Sequence, residues 1–293
     1  MDRAELLSKI APFPLLARGL AADFLSGNYR SVFKGQGIEF DEVRRYEAED
    51  DARSIDWNVS ARFGVPYVKL YREEREMTVC IVLDTSASMH TPGSSQYTLY
   101  EQGLLAAALI AFSAEHSGLR MSAVFFDNDI RRIFPPRKGR THTMAFLSVA
   151  MENTPREKGT GLGLALKGAA RMLKHHSLII VISDFYSMNW EREMEEISRL
   201  HDVIAIRIAG PLEIEIPCQG FFTLEDPETG KTVRSPSFPG FKTAWKTWHE
   251  ERRHLWEAII RRSGAAHLNL STADDAAAVL AGFFRRAWDR SRS

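Results

Sequence analysis

Residues 79–90 read VCIVLDTSASMH. An unbroken apolar run, Val79 to Leu83, ends on one acid, Asp84, and is followed by Ser86 and Ser88 at alternate positions. A strand with no polar residue on either face suits a parallel sheet covered on both sides by helices. Alternate residues of an extended segment share a face, so the Asp-x-Ser-x-Ser succession turns one carboxylate and two hydroxyls the same way where the strand ends. Such oxygens are hard donors suited to Mg²⁺ or Mn²⁺. The same residues also suit a serine-rich turn in which Asp84 caps a following helix.

Outward from this stretch the pattern repeats. SLIIVISDF (177–185) is a second buried strand that ends on an acid, Asp184, and DVIAIRIAG (202–210) is a third. Between the first two lie a helical pattern at 97–116 and GLRMSAVFFDNDIRRIF (118–134), a hairpin turning near Asp127 and Asn128 that forms an antiparallel edge. A helix near 140–150, the loop MENTPREKGTG and the helix LGLALKGAARMLKHH follow, with His175 and His176 at the end of that helix. A helix near 190–200, a long amphipathic helix at about 240–263, the strand AAHLNL and a closing helix capped by Ser271 or Thr272 complete the chain. Strands alternating with helices predict an α/β fold, a mostly parallel sheet flanked by helices, with the C-terminal ends of its strands on one edge. That edge gathers Asp84, Asp184 and Thr160, the last at the glycine-rich turn KGTGLGLAL where a helix opens.

Composition narrows the function. Lysines plus arginines and aspartates plus glutamates number 38 each, so no whole-molecule basic field exists to hold a nucleic acid or an anionic membrane. Two cysteines, Cys80 and Cys218, make neither a disulfide framework nor a zinc cage, which fits reduced thiols in a cytoplasmic protein. Lys9, Pro12, Pro14 and Arg18 interrupt the apolar N-terminus, so it reads as neither a signal peptide nor a membrane span. ETGKT (228–232) lacks the earlier glycine and the strand of a phosphate loop, and GTGLG (159–163) lacks the strand of a dinucleotide site. No histidine, lysine or third acid stands within the Asp84-x-Ser86-x-Ser88 motif itself to act as base or nucleophile. A Mg²⁺-dependent hydrolase or phosphotransferase on the same edge is therefore the alternative to a binding protein.

Two segments depart from the βα pattern. PLEIEIPCQGFFTLEDPETGKTVRSPSF holds prolines and a Glu-Thr-Gly turn and reads as a β-hairpin excursion near 211–238. Residues 1–76 form an N-terminal extension, charged and aromatic from Arg30 on, ahead of an α/β domain at 77–293. Within it Asp41, Arg44, Tyr46, Asp50, Asp51, Arg53, Asp56, Trp57 and Arg62 suit a paired polar core fastening the extension to the sheet, or a second contact surface for a partner.

Asp84-x-Ser86-x-Ser88, Thr160 and Asp184, in that chain order, resemble the metal-ion-dependent adhesion site of von Willebrand factor A domains. The upstream GQGIEFDEVRRYEAEDDARSIDWNVSARFGVPYVKLYREERE resembles the signature of the bacterial family known as domain of unknown function family 58. The likeness extends from about Tyr29 to the closing helix. Two departures stand out: Gly161 follows the threonine where the family commonly has an acid or amide, and Glu49-Asp50-Asp51 replaces a turn that usually carries glycine. The resemblance implies a von Willebrand factor A-like fold and a Mg²⁺ or Mn²⁺ ion touched by Ser86, Ser88 and Thr160 and held through waters by Asp84 and Asp184. It further implies a non-enzymatic, metal-dependent protein-binding module partnering a MoxR-type AAA+ ATPase in assembling or remodelling a client complex.

Overall fold

The computed structural model describes residues 34–47, 55–74, 77–91, 97–152, 159–213, 221–225, 230–236 and 239–290. The N-terminus, Cys218, Arg53 and the Glu49-Asp50-Asp51 turn lie outside them. The chain divides into two compact units, Asn28–Met77 and the remainder.

In the smaller unit β1 (Lys34–Arg45) pairs antiparallel with β2 (Tyr67–Glu74), Phe40 opposite Tyr71 and Arg45 opposite Tyr67. The short helix α1 (Trp57–Phe63) lies between them in sequence. Asp56 starts it, its carboxylate accepting the N–H groups of Asn58 (3.0 Å) and Val59 (3.3 Å). Gly64 ends it at φ 71°, a left-handed conformation that costs a residue without Cβ little. Ser60 Oγ accepts the Tyr67 N–H at 2.8 Å, joining helix to strand. Asp56 is buried, but Trp57 is 71% exposed and Arg62 is exposed. The charged segment therefore does not bury all its members in one polar core: Asp56 acts as a helix cap, and Arg44 lies near Glu47 in a surface pair at 3.6 Å.

The larger unit is built on a six-stranded sheet in the order β10-β7-β6-β3-β4-β5. Its strands are β3 (Thr78–Asp84), β4 (Arg120–Phe126), β5 (Ile130–Arg137), β6 (Leu178–Ser183), β7 (Asp202–Ala209) and β10 (Ala266–Ser271). Every neighbouring pair is parallel except β4–β5, the expected antiparallel edge. The unbroken apolar runs are explained by burial on both faces. Cys80, Val82, Val124, Phe126, Ile179, Val181, Val203 and Ala205 pack with α4 (Leu162–Met172), α5 (Glu191–Leu200) and α6 (Pro239–Ser263). On the other face α2 (Leu99–His116) crosses the sheet, with a Cβ built on its Gly103 only 3.1 Å from Ile182 Cγ2, so glycine lets the helix lie this close without displacing that side chain. Helices α3 (Arg140–Glu152) and α7 (Ala276–Arg290) pack on α2, which is why so apolar a helix stays covered. This is the von Willebrand factor A-like arrangement, a mostly parallel sheet flanked by helices.

Two local expectations are corrected. Helix α4 stops at Met172, where Leu173 turns extended, so His175 and His176 lie beyond the helix and not at its end. The closing helix is capped by Asp275, whose carboxylate accepts the N–H groups of Ala277 and Ala278, while Ser271 and Asp274 hold the preceding turn. The hairpin excursion is present as β8 (Phe221–Glu225) paired with β9 (Thr232–Pro236). Cys80 is buried and its thiol is pushed up to about 12 by that burial, which leaves it unreactive.

Candidate metal centre

Strand β3 leads rightward to β4, whereas the next parallel strand, β6, pairs on its left. The loops leaving β3 and β6 therefore diverge and open a crevice at the sheet's C-terminal edge, the position where ligands sit in open α/β sheets. The sequence places its acids at these two strand ends.

Asp84 is fully buried. Its Oδ1 accepts the Ser86 N–H at 2.9 Å and closes a tight turn, and its Oδ2 accepts the Ser183 hydroxyl at 2.5 Å. It caps no helix: the short 3₁₀ turn Ser88–His90 has no side-chain cap. Thr85 faces the other way, its hydroxyl and N–H both donating to Phe126 O at 2.8 and 2.7 Å, so the loop is fastened to β4. Ser86 and Ser88 then share a side, their hydroxyl oxygens 3.1 Å apart and both residues buried. His90 stacks on Tyr100 of α2, ring centroids 4.5 Å apart, and anchors the far end of the loop.

Asp184 is 2% exposed and accepts the Tyr186 N–H at 2.9 Å. The next residue, Phe185, has φ 58°, a strained conformation for a bulky side chain, costing on the order of 1–2 kcal/mol. Its ring is buried against Trp190 and Trp256, and its N–H bonds Ser183 Oγ at 3.0 Å. Burying a phenyl ring contributes about 1.5–3 kcal/mol, enough to hold the kink.

Thr160 stands just ahead of α4 and is half-buried. Its carbonyl accepts the Ser187 hydroxyl at 2.8 Å, joining its loop to the Asp184 loop. The Gly161 N–H donates to Asp127 O at 2.6 Å, joining the same loop to the β4–β5 turn. A Cβ on Gly161 would lie 2.4 Å from Asn128 O. The glycine after the threonine is therefore required by this hairpin, which occupies the space an acid or amide would need. Asp127 also lies at this edge, but Arg131 Nε bonds both its oxygens at 2.6 Å, and the pair stiffens the turn.

Burial above all, then the charge of Asp184, pushes the Asp84 carboxyl up to about 7, against the hydrogen bonds from Ser183 and Ser86. An acid raised by burial and by the charge of a second acid, with serine hydroxyls beside it, makes a donor set suited to a small hard cation, whose charge offsets the repulsion. Among the described residues no group of three or more His, Cys, Asp or Glu gathers as a metal cluster. The candidate set has two carboxylates, and its other oxygens are hydroxyls.

Sequence reading missed the residues around Asp184. Ser183 bridges to Asp84, and its signal was present: a hydroxyl closing an otherwise apolar strand, as Asp84 closes β3. Tyr186 Oη lies 3.1 Å from His249 Nδ1 on α6, and Glu213, paired with Arg207, acts electrostatically on the same phenol. These partners are distant in the chain, so no local pattern announces them.

Residues 42–253 match a family described as Protein of unknown function DUF58. The uncharacterized protein Rv1480 of Mycobacterium tuberculosis is 28% identical over 278 residues, 94% of this chain and 87% of that protein. The uncharacterized protein MAV169 of Mycobacterium avium is 30% identical over 156 residues, 52% of this chain and 91% of that protein. Among solved structures, the conserved hypothetical protein BatB from Bacteroides thetaiotaomicron aligns with a TM-score of 0.49 and 16% identity, over 74% of this chain and 100% of its own. The vWF domain of the type V pili tip protein Mfa5 from Porphyromonas gingivalis aligns at 0.28 with 17% identity, over 50% of this chain and 38% of its own. Among the described residues no helix is long and apolar enough to cross a membrane.

Proposed function

This chain belongs to the DUF58 family, and from that premise we propose that it is a non-enzymatic, metal-dependent protein-binding module. Asp84, Ser86, Ser88, Thr160 and Asp184 would hold Mg²⁺ or Mn²⁺, the hydroxyls directly and the carboxylates largely through waters. The observation that carries the reading is the pair of buried acids at two neighbouring strand ends, the charge of Asp184 helping to raise Asp84, with two serine hydroxyls 3.1 Å apart beside Asp84. Neutral hydroxyl ligands leave much of a bound ion's charge uncompensated, so the ion supplies an attachment point for an acidic side chain of a partner. This chain's own residues fix the geometry: Thr85 ties one loop to β4, Ser183 orients Asp84, and Ser187 holds the Thr160 loop. By family resemblance the partner is a MoxR-type AAA+ ATPase acting with this protein on a client complex in the cytoplasm.

The test is calorimetric titration of that ATPase into the protein in Mg²⁺ and in chelator. Binding in Mg²⁺ that is lost in chelator, and weakened by Ser86→Ala with the melting temperature unchanged, is expected. Equal binding in both buffers contradicts the reading. If the ion binds with a dissociation constant of about 1 mM, then about 10 mM Mg²⁺ stabilises the fold by roughly 1.4 kcal/mol. That raises the melting temperature by about 3–6 °C, and Asp84→Ala should abolish the rise.

A further inference from the structure

Close to the candidate ligand Asp184 lies an arginine with no ionic partner among the described residues. The Arg252 guanidinium on α6 sits over the Tyr186 ring at 4.4 Å from its centroid and over the Trp248 ring at 5.3 Å. Neighbouring cations on the same helix are matched by acids, Lys246 with Glu250 at 3.9 Å and Arg253 with Glu257 at 4.0 Å. Arg252 has no carboxylate partner among the described residues. Tyr186 is two residues from Asp184 and its N–H donates to that carboxylate at 2.9 Å, so the arginine stacked on its ring lies close to a candidate ligand.

We propose that Arg252 is a second anchor for an acidic segment of a partner protein, taking one carboxylate while the ion at the sheet edge takes another. The inference rests on the metal-dependent reading and adds the chemistry of the partner to it. Stacking on aromatic faces fixes the guanidinium plane and leaves its N–H edge to pair with a carboxylate, the bidentate geometry for which arginine is suited. His249 Nδ1, 3.1 Å from Tyr186 Oη, fixes the phenol on which Arg252 rests. The two segments that meet here also carry exposed apolar side chains, Trp248 on α6 at 47% exposed and Met188, on the loop after Asp184, at 83%. Trp, Tyr, Arg and Met are the residue types enriched where binding energy concentrates. Charge selects the occupant. Without an ion the edge holds Asp84 and Asp184 and disfavours an acid; a divalent ion offsets them, and Arg252 adds a cation close by.

The experiment is a nuclear magnetic resonance titration of the full chain with acetylated, amidated hexaglutamate, following the Trp248 indole signal, in Mg²⁺ and in chelator. Hexaglutamine serves as the neutral control. Wild type should bind hexaglutamate in Mg²⁺ and not hexaglutamine. Arg252→Gln should bind about tenfold more weakly while melting like wild type, a loss of about 1.4 kcal/mol. Arg252→Lys, which keeps the charge but not the planar fork, should fall between them, and it decides the matter if the glutamine variant does not fold. Arg252 variants that bind as wild type does, or a wild type that ignores hexaglutamate in Mg²⁺, overturn the proposal. Dependence on Arg252 that persists unchanged in chelator supports the arginine anchor and contradicts the ion; dependence on Mg²⁺ alone does the reverse.

Discussion

Gly161 shows how tightly the Thr160 loop is set. Its φ suits any residue, so only space demands glycine there: the added methyl of Gly161→Ala would meet Asn128 O at 2.4 Å. The variant should lose about 1–3 kcal/mol of stability, as overpacked sites do, and its melting temperature should respond less to Mg²⁺ as Thr160 moves. Gly282→Ala on α7, with nothing within 4 Å of the added carbon, is the control and should melt at or slightly above wild type. Thermal melts with and without Mg²⁺ check both. Asp84, Ser86, Ser88 and Asp184 were legible in the sequence because alternation and strand ends place them without knowledge of the fold. Tyr186, His249, Glu213 and Arg252 were not, because only the crossing of α6 behind the edge joins them.

The helices and strands were legible where periodicity is strong, and they differ from expectation where a single cap decides the boundary. The closing helix illustrates this: Ser271, Thr272, Asp274 and Asp275 are all competent caps, and the turn geometry selects Asp275. Asp275→Ala should cost about 0.5–2 kcal/mol, and Ser271→Ala less, since its hydroxyl holds only the turn at 3.2 Å. Asp56→Ala in the smaller unit should cost a similar amount through loss of the α1 cap. Denaturant titrations of the variants test the order. A loss of several kcal/mol at Asp56 would instead restore the buried ionic core that the charge density of the segment suggests.

The layers of the larger unit have consequences beyond the candidate edge. Where α5 meets β7, at the opposite end of the sheet, His201 is buried, and burial with the charge of His176 lowers it from 6.5 to about 4. The unfolded chain therefore takes up a proton that the folded one refuses, so this residue's contribution is complete above about pH 6.5 and is lost as pH falls toward 4. Asp84, whose carboxyl is raised, acts in the opposite direction over the same range. Comparison with His201→Gln isolates the histidine: the stability of wild type relative to the variant should decline between pH 6.5 and 4, and parallel curves would contradict the assignment.

The central claim is that a divalent ion sits in the crevice between the β3 and β6 loops. Mn²⁺ relaxes nearby nuclear spins, so titrating it in substoichiometric steps into the ¹⁵N-labelled 33.2 kDa chain reports where the ion resides. The account predicts that the amide signals of Ser86, Ser88, Gly161 and Tyr186 broaden first, that Mg²⁺ competes, and that Asp84→Asn weakens the effect. Broadening that begins elsewhere, or that is unchanged in the Asp84→Asn protein, would contradict it.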